Sequence, residues 1–483
     1  MKPKLRFAPS PTGNLHIGSV RTAIFNWVWA QSLDASLVLR IEDTDLERSK
    51  KEFEDNIMEG LDWLGLSFDE GPHQPIDGMK YRQSERINDQ AYQPYIDQLL
   101  SSGNAYYCFE TDDELTAERQ AAEDQGIPYV YSRKSLSYSP DEVTKKLDNG
   151  TPWTIRFRVP DHAMIIVKDV IRGDISFESK LLSDFIIVRS DGNPTYNFAV
   201  VVDDHEMGIT HVVRGEDHIS NTPRQIMMYD AFGWDVPQFA HLPIILGPDR
   251  SKLSKRHGAK SVSEYRDEGF LADALINYLS LLGWSPPDGN ELLSRQELND
   301  LFDISRINKA GAVFDTVKLT WMNKQYLAKK SDHEILALIH PFVDPKLKKL
   351  SDLDRKILSV RDNIETLSQI NDYLDVYSRD TTDFFNKFQA LPITESDIKV
   401  IEYAHAAIAQ LSKWDASSVT ELMEGAIESL SLGKGKVMKP MRKSMTGDES
   451  GPNLIDCLAL IPLNEIKARL ELVLKHVNST ASN

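Results

Sequence analysis

The chain opens with the stretch LRFAPSPTGNLHIGS, residues 5–19, and this stretch decides the fold. Leu5 to Phe7 predict a short buried strand, and Ile17 to Ala30 predict a helix. The apolar run Ser36 to Ile41 predicts the next strand. Strand, helix and strand within about 40 residues form a βαβ unit, and open α/β sheets bind ligands at the carboxyl end of the first strand.

The composition is that of an ordinary globular protein. The 483 residues, 41% hydrophobic and 27% charged, are enough for roughly three domains. The formal net charge of −18 means that a polyanion must bind through local basic patches. The two cysteines, Cys108 and Cys457, predict no disulfide framework. We find no secretory signal and no apolar run long enough to span a bilayer, so we expect a cytoplasmic protein.

The pattern predicts an α/β half with an insertion, followed by an all-helical half. An acidic helix, Asp112 to Gln125, is followed by strand-like runs such as Thr154 to Val159 and Met164 to Val167, which we interpret as an inserted α+β module. The α/β pattern resumes at Phe185 to Val188. The predicted domains are residues 1–102 and 186–246 for the α/β core, 103–185 for the insertion, 247–330 for a junction and 331–483 for the helical half.

The first loop has the features of a phosphate site. A helix that begins near Ile17 presents free N–H groups and the positive end of its dipole. His16 stands at this boundary and can donate a hydrogen bond to a phosphoryl oxygen, and Gly18 lets a flat base lie against the backbone. Without other context, such a histidine is more often a cap or a solvated residue.

A second element, KLSKR at residues 252–256, follows the apolar strand Leu242 to Leu246 and a turn-rich stretch. Lys252 and Lys255 are three residues apart on this loop, so both can close over a triphosphate. Phosphoryl and nucleotidyl transfer depend on positioning and on neutralising charge. Taken alone, the loop would be interpreted as solvated basic surface.

Together the two elements resemble the paired signature of class I aminoacyl-tRNA synthetases, and the long opening stretch resembles the glutamyl-tRNA synthetase family. Further motifs that resemble this family are RIEDTD at 40–45, YNFA at 196–199, VRGEDH at 213–218, KRHGA at 255–259, and FD with KLTWMN between 314 and 323. Beyond about residue 326 the resemblance is one of architecture. It implies a Rossmann-like class I catalytic core, an insertion that binds the acceptor end, a junction that contacts the stem, and an all-α anticodon-binding half.

The resemblance implies a ligase that activates L-glutamate with ATP and Mg²⁺ to glutamyl-adenylate, releasing pyrophosphate. The glutamyl group then passes to the 3′-terminal adenosine of tRNA(Glu), and the enzyme is expected to be a monomer. The implied site residues are His16, Lys252 and Lys255 for catalysis; Thr12, His16, Gly18, Asp217, Lys252, Ser254 and Lys255 for ATP; and Arg6, Ala8, Ser10, Glu42, Tyr196 and Arg214 for glutamate.

The charges of these residues suit glutamate. Arg6 and Arg214 both end at the carboxyl edge of the sheet, where two guanidiniums would hold a carboxylate, and Glu42 would hold an ammonium. Glutaminyl-tRNA synthetases share the catalytic fold, but they typically open with PPEPNG and lack the arginine of RGED. In a dry pocket, glutamine would leave Arg214 unpaired, at a cost of roughly 3–5 kcal/mol.

We expect no zinc. Some family members carry a zinc site in the insertion, built from C-x-C followed by a Cys/His pair. Here CFE at 108–110 keeps one cysteine, and YSRKS at 131–135 has neither cysteine nor histidine, so four ligands cannot be assembled. Cys108 is expected to be a small buried or half-buried residue.

Candidate tRNA contacts are electrostatic. One basic segment, residues 434–443, contains glycine and proline, which predict a loop rather than a helix face. The alternative to phosphate contact is a solvated loop. The candidates are Asp45, Lys434, Lys436, Lys439, Arg442 and Lys443. Anticodon bases need aromatic or arginine side chains to stack on, and the candidates for this role are Arg361, Tyr373, Tyr377 and Arg379. The sequence does not decide whether tRNA(Gln) is also charged.

Two other functions are compatible with parts of the sequence. One is that of a short-form relative, which attaches glutamate to a modified tRNA base. The helical half argues against it, because such relatives stop after the catalytic half. The other is a catalytically inactive tRNA-binding protein. The intact Arg6, His16, Glu42, Arg214 and Lys255 argue against that.

Overall fold

The computed structural model describes residues 2–45, 47–127, 129–258 and 260–481, with side chains for all of these except residues 255, 480 and 481. The chain divides into two compact units. The first consists of Met1–Tyr265 and Leu275–Thr316, and the second of Arg266–Ala274 and Val317–Asn483. None of the helices in these described ranges has the length and apolar character needed to cross a membrane.

The strands formed by the described residues all lie in the first unit. In chain order they are β1 (Lys4–Phe7), β2 (Ser36–Leu39), β3 (Ala105–Cys108), β4 (Thr154–Phe157), β5 (Met164–Asp169), β6 (Gly173–Glu178), β7 (Phe185–Val188), β8 (His211–Gly215), β9 (Gln238–Leu242), β10 (Ile245–Leu246) and β11 (Ala312–Val313).

The helices of the first unit and of the segments that join the two units are α1 (Ile17–Ser32), α2 (Lys51–Leu64), α3 (Gln83–Asn88), α4 (Gln93–Ser101), α5 (Asp112–Asp124), α6 (Pro140–Asp148), α7 (Tyr196–Glu206), α8 (Thr222–Phe232), α9 (Val262–Asp267), α10 (Ala272–Ser280), α11 (Arg295–Leu301) and α12 (Thr316–Ala328). The second unit continues with α13 (Asp332–Ile339), α14 (Leu353–Val360), α15 (Ile370–Leu374), α16 (Thr381–Gln389), α17 (Glu395–Ala409), α18 (Ala416–Leu430), α19 (Lys434–Thr446), α20 (Leu454–Ala459) and α21 (Leu463–Ala481).

The predicted βαβ unit is confirmed and lies in the main sheet. This sheet has the strand order β2-β1-β8-β9-β5-β6, and its neighbours pair in parallel except for the antiparallel hairpin of β5 and β6. The apolar face of α1 explains its position, because Ile17, Val20 and Ile24 are all buried. Since parallel strands end at the same edge, the residues that follow β1, β2 and β8 are neighbours in space.

Two strands belong to the other sheet than the sequence predicts. The run from Met164 pairs with β9 in the main sheet, and Phe185–Val188 pairs with β4 in a separate sheet of order β3-β4-β7. The strands themselves form where expected. Their partners are far away in sequence, and short apolar strands carry no local signal for the choice of partner. The apolar run Leu242 to Leu246, predicted as one strand, is also divided. β9 ends at Leu242, Pro243 interrupts the run, and β10 begins at Ile245.

The basic segment of the second unit is a helix, so the prediction of a loop there is wrong. Gly433 precedes α19 as its N-cap, and Pro440 lies inside it. Val437, Met441 and Met445 are fully buried at a spacing of four residues, and α19 packs against α17, α18 and α21. Burial of this apolar stripe therefore outweighs the low helix propensity of proline and glycine.

Candidate active site

Three charged side chains predicted from the sequence lie at the carboxyl edge of the main sheet. Arg6 is near the end of β1, Glu42 follows β2 and Arg214 is near the end of β8, and β1 pairs with both other strands. All three are buried, with relative exposures of 3%, 7% and 5%. A buried charge is stable only when it has a partner or a ligand, so their partners define what the site can bind.

Arg6 and Glu42 belong to a network of alternating charges. Arg6 Nε donates to Asp204 Oδ1 at 3.2 Å, and Arg40 Nη1 donates to the same oxygen at 2.7 Å. Arg40 Nη2 also donates to Glu42 Oε1 at 2.9 Å. Burial raises the pKa of Glu42, although Arg40 and Arg6 oppose the rise. The network fixes both predicted glutamate-binding side chains in one place.

Arg214 differs because none of its hydrogen-bond partners among the described residues is a carboxylate. Its Nε donates to His241 Nε2 at 3.2 Å, and its Nη2 donates to Thr222 Oγ1 and Gln225 Oε1, each at 2.8 Å. Its Nη1 is buried and has no hydrogen-bond acceptor among the described residues. Burial is the largest cause that lowers the pKa of Arg214, yet a guanidinium stays protonated. The site therefore offers a buried cation with one donor nitrogen for an anionic ligand.

Tyr196 begins α7 beside these charges. Its hydroxyl lies 3.2 Å from His218 Nδ1. Burial raises the pKa of Tyr196, so the phenol is neutral. Burial and the nearby Arg214 lower the pKa of His218 to about 4, so its imidazole is uncharged at neutral pH. The wall of the site next to the arginines is thus polar but carries no charge.

The first loop ends at His16, which is the N-cap of α1. Its Nδ1 accepts a hydrogen bond from Ser19 N at 3.2 Å, so in the neutral ring Nε2 carries the proton. Burial and Lys252 lower the pKa of His16. A Cβ on Gly18 would lie 3.1 Å from the ring, so a side chain there would crowd the imidazole. The loop presents a neutral N–H donor next to a helix N-terminus.

The remaining predicted residues surround this loop. Lys252 is exposed, with Nζ 3.8 Å from Asp217 Oδ2. Ser254 Oγ lies 3.3 Å from His257 Nδ1. The side chain of Lys255 is outside the described residues. Of the others, Ala8 is half-buried and Ser10 and Thr12 are exposed. Lys252 and Asp217 also lie close enough to His16 to act on its pKa, which Lys252 lowers and Asp217 raises.

The candidate tRNA contacts separate into exposed and internal side chains. Lys434, Lys436 and Lys439 are exposed on α19, and Asp45 is exposed on its loop. Arg442 Nη2 instead donates to Pro452 O at 2.6 Å. Lys443 is buried, and its Nζ donates to Pro392 O at 2.7 Å. Lys443 is therefore held inside the helical unit.

A cleft of about 400 Å³ opens in the second unit beside these residues. Tyr373, Arg379 and Arg442 line it. Arg379 is fixed by Asp375 and Asp448 at 2.9 and 2.6 Å. Of the other two anticodon candidates, Tyr377 is buried against Ser359, and Arg361 is paired with Asp332. Tyr373 and Arg379 are thus the anticodon candidates that reach the cleft.

Several residues of the first unit that hold the site were not singled out from the sequence. One signal was available: Asp203 and Asp204 directly follow the apolar run 198–202 of helix α7, and buried acids need cationic partners. His241 is a polar residue within an apolar strand, which is a weaker signal. The overlooked residues are Asp169, Asp204, Thr222, Gln225 and His241.

Cys108 is buried, as predicted, and it lies in a hydrogen-bonded cluster of the insertion. Its Sγ donates to Glu110 Oε2 at 2.7 Å, and the Tyr131 hydroxyl donates to the same oxygen at 2.8 Å. The Arg156 guanidinium stacks over the Tyr131 ring at 4.2 Å. Among the described residues, no three His, Cys, Asp or Glu side chains are grouped so that they could hold a metal ion.

A mainly parallel sheet with HIG at its first turn and a KLSKR loop after its last strand defines a class I aminoacyl-tRNA synthetase. The family model described as tRNA synthetases class I (E and Q), catalytic domain, matches residues 2–321. An anticodon binding domain model matches residues 334–474.

Relatives that match over their full length show which family the chain belongs to. The chain is 44% identical to the glutamate–tRNA ligase of Sulfurihydrogenibium sp. (strain YO3AOP1), covering 98% of this chain and 99% of the relative. It is also 44% identical to that of Aquifex aeolicus (strain VF5), covering 99% and 100%. The crystal structure of a glutamate tRNA ligase from Elizabethkingia meningosepticum in complex with its amino acid superposes with a TM-score of 0.88 at 35% identity, covering 98% and 99%. The chain belongs to the glutamate–tRNA ligase family.

Proposed function

We propose that this chain activates L-glutamate with ATP and transfers it to the 3′-terminal adenosine of tRNA(Glu). The observation that carries the proposal is the buried Nη1 of Arg214, which has no acceptor among the described residues. A side-chain carboxylate would supply that acceptor together with the missing negative charge. The amide of glutamine would supply no charge, so the same feature supports the choice of glutamate over glutamine.

The other predicted glutamate-binding residues have matching roles. Arg6 and the Tyr196 hydroxyl join Arg214 around the side-chain carboxylate. Glu42 holds the α-ammonium, while Ala8 and Ser10 border the backbone of the amino acid. Because Arg6 and Glu42 are fixed through Asp204 and Arg40, the charges of the amino acid meet a preorganised site.

Activation needs no nucleophile from the protein. An oxygen of the α-carboxylate of glutamate attacks the α-phosphorus of ATP. Pyrophosphate leaves with the electron pair of the broken P–O bond. A ribose hydroxyl of the terminal adenosine then attacks the acyl carbon, and AMP leaves. Thr12, His16, Gly18, Asp217 and Ser254 orient ATP, and Lys252 and Lys255 also neutralise its negative charge. Mg²⁺ enters with ATP, held by phosphate oxygens and water.

Replacing His16 with alanine is expected to slow glutamate activation by about 10²–10³-fold, because one N–H donor to a phosphoryl oxygen is lost. The lowered pKa keeps the wild-type ring neutral at and above its ordinary titration range. Activity should therefore be flat from neutral to alkaline pH on account of His16. It should fall only on the acid side, where protonation removes the Nδ1 acceptor for Ser19 N. Pyrophosphate exchange in the presence of tRNA measures both effects.

The matched control is His73→Ala, since His73 is exposed outside the site. Wild-type exchange in His16→Ala would contradict the assignment.

We propose that tRNA is bound by local basic patches, including the exposed lysines of α19, against an overall charge of −18. Replacing Lys434, Lys436 and Lys439 together with alanine should raise the KM for tRNA roughly tenfold. It should also lower the salt dependence of binding by about one counterion per lost phosphate contact. Replacing Lys346, Lys348 and Lys349, which are also exposed in the helical unit, removes the same charge elsewhere. Equal effects of the two triple variants would contradict a role for α19.

A charging assay with labelled glutamate and total tRNA tests the proposed function. The expected product is glutamyl-tRNA, and it should be lost when the terminal adenosine is removed from the tRNA. Charging that survives this removal would indicate transfer to a base, and no charging would indicate a non-catalytic protein. Purified tRNA(Glu) and tRNA(Gln) then define the tRNA range. We propose a monomeric, cytoplasmic enzyme, which sedimentation and fractionation test.

A further inference from the structure

We propose that Asp169 and His241 are positioning residues that hold Arg214 in the orientation that selects glutamate. The inference rests on the proposed function, since it concerns how the arginine meets the side-chain carboxylate. His241 lies on β9 directly opposite Arg214 in the β8–β9 pairing. Asp169 is the last residue of β5, which pairs with the other side of β9. The three side chains thus form a row across three neighbouring strands.

A chain of hydrogen bonds runs along this row from Arg214 through His241 to Asp169, and each side chain donates to the next. His241 is fully buried, and its Nδ1 lies 2.6 Å from Asp169 Oδ2. The same carboxylate accepts the backbone N–H groups of His241 at 3.0 Å, Ile171 at 3.0 Å and Arg172 at 2.8 Å. An ionised carboxylate only accepts hydrogen bonds, so Nδ1 of His241 carries the proton. In the neutral ring Nε2 is therefore an acceptor, and it faces Arg214 Nε at 3.2 Å and the Thr222 hydroxyl at 3.0 Å.

Burial and the two nearby arginines lower the pKa of His241 and keep the ring neutral, although Asp169 opposes them. Arg214 and Arg172 face it as cations, Asp169 faces it as an anion, and His218 is close enough to interact. Burial is the largest cause that lowers the pKa of His241, and Arg214 lowers it further. Burial raises the pKa of Asp169, but hydrogen bonds from His241 and the backbone lower it more. Asp169 thus stays ionised and fixes the tautomer of its neighbour.

This arrangement determines which nitrogen of Arg214 meets the ligand. Nε is directed to His241, and Nη2 is shared by Thr222 and Gln225. Nη1 is left without an acceptor in the described part of the chain. If Nε2 of His241 carried the proton instead, two N–H donors would face each other at this contact. The guanidinium would then lose one of the three hydrogen bonds that fix its plane and keep only those from Nη2 to Thr222 and Gln225.

Asp169→Asn tests the inference, because an amide NH₂ facing Nδ1 favours the other tautomer of His241. The expected result is a KM for glutamate about 10–100-fold higher, as for other residues that orient a binding group through hydrogen bonds. Arg214 binds the substrate away from the reacting carboxylate, so kcat and the KM for ATP should change less than about threefold. Aminoacylation at saturating tRNA gives all three values.

Two substitutions at His241 separate positioning from packing. His241→Gln places an amide oxygen near the Nε2 position and should keep the KM for glutamate within about fivefold of wild type. His241→Phe fills the space without an acceptor and should resemble Asp169→Asn. Asp174→Asn, on the exposed edge strand β6, is the matched control. If Asp169→Asn fails to fold, the two His241 variants supply the comparison.

Failure of the inference and failure of the proposed function give different results. A wild-type chain that does not use glutamate would overturn the proposed function. With a normal wild type, an unchanged KM for glutamate in Asp169→Asn and His241→Phe would overturn the positioning role. So would a fall in kcat at unchanged KM, which is the signature of a reduced folded fraction.

Discussion

Replacing Arg214 with alanine should lower kcat/KM for glutamate by more than about 100-fold, the largest effect expected for a single side chain of the site. The guanidinium is buried, and its Nη1 has no acceptor among the described residues. In the variant the side-chain carboxylate would enter a pocket without its main cation. Aminoacylation at saturating ATP and tRNA measures the loss, and glutamine should gain relative to glutamate as a competing substrate.

Arg224→Ala is the control for the loss of an arginine in the same region. Its guanidinium donates to Ser220 O at 2.9 Å, one turn away on its own segment. This variant should retain near-normal use of glutamate. Undiminished kcat/KM in Arg214→Ala would mean that the carboxylate binds elsewhere.

Asp204→Ala should lower the free energy of unfolding by about 3–5 kcal/mol, because it leaves two buried guanidiniums with one carboxylate fewer. Asp204 accepts from both Arg6 and Arg40, and all three side chains are nearly inaccessible. Arg40 would keep Glu42 at 2.9 Å, but Arg6 would lose its partner. The change should therefore also weaken glutamate binding.

Urea unfolding followed by tryptophan fluorescence measures the stability effect. Trp27, Trp29, Trp63, Trp153, Trp234 and Trp284 belong to the first unit, so six of the eight tryptophans report on the unit that contains Asp204. Asp235→Ala, at an exposed position, should leave the transition unchanged. An Asp204→Ala transition that coincides with the wild-type one would contradict the proposed charge network.

The elements of the main sheet could be predicted because their signals are local. The buried strand at Leu5 to Phe7, the apolar face of α1 and the strand from Ser36 appear in the sequence as periodicities and turns. The sheet that contains Met164–Asp169 could not be predicted, since it depends on pairing with a strand about 70 residues away. The helix at Lys434–Thr446 was missed for a related reason, because burial of its apolar stripe overrides local propensity.

The candidate site shows the same division. Motifs identified Arg6, Glu42 and Arg214, which we propose face the ligand. The residues that hold them, such as Asp204 and His241, come from distant segments and carry no motif in a single sequence. The net charge of −18 is also informative only with the structure. The exposed lysines of α19 stand out as a local patch, while Lys443 of the same run is bound inside the helical unit.

The most direct test of the account is a crystal structure of this chain with L-glutamate bound. We expect the side-chain carboxylate within about 3 Å of Arg214 Nη1, with His241 still hydrogen-bonded to Arg214 Nε and the α-ammonium beside Glu42. A glutamate whose side chain lies away from Arg214, with Nη1 still lacking an acceptor, would contradict it.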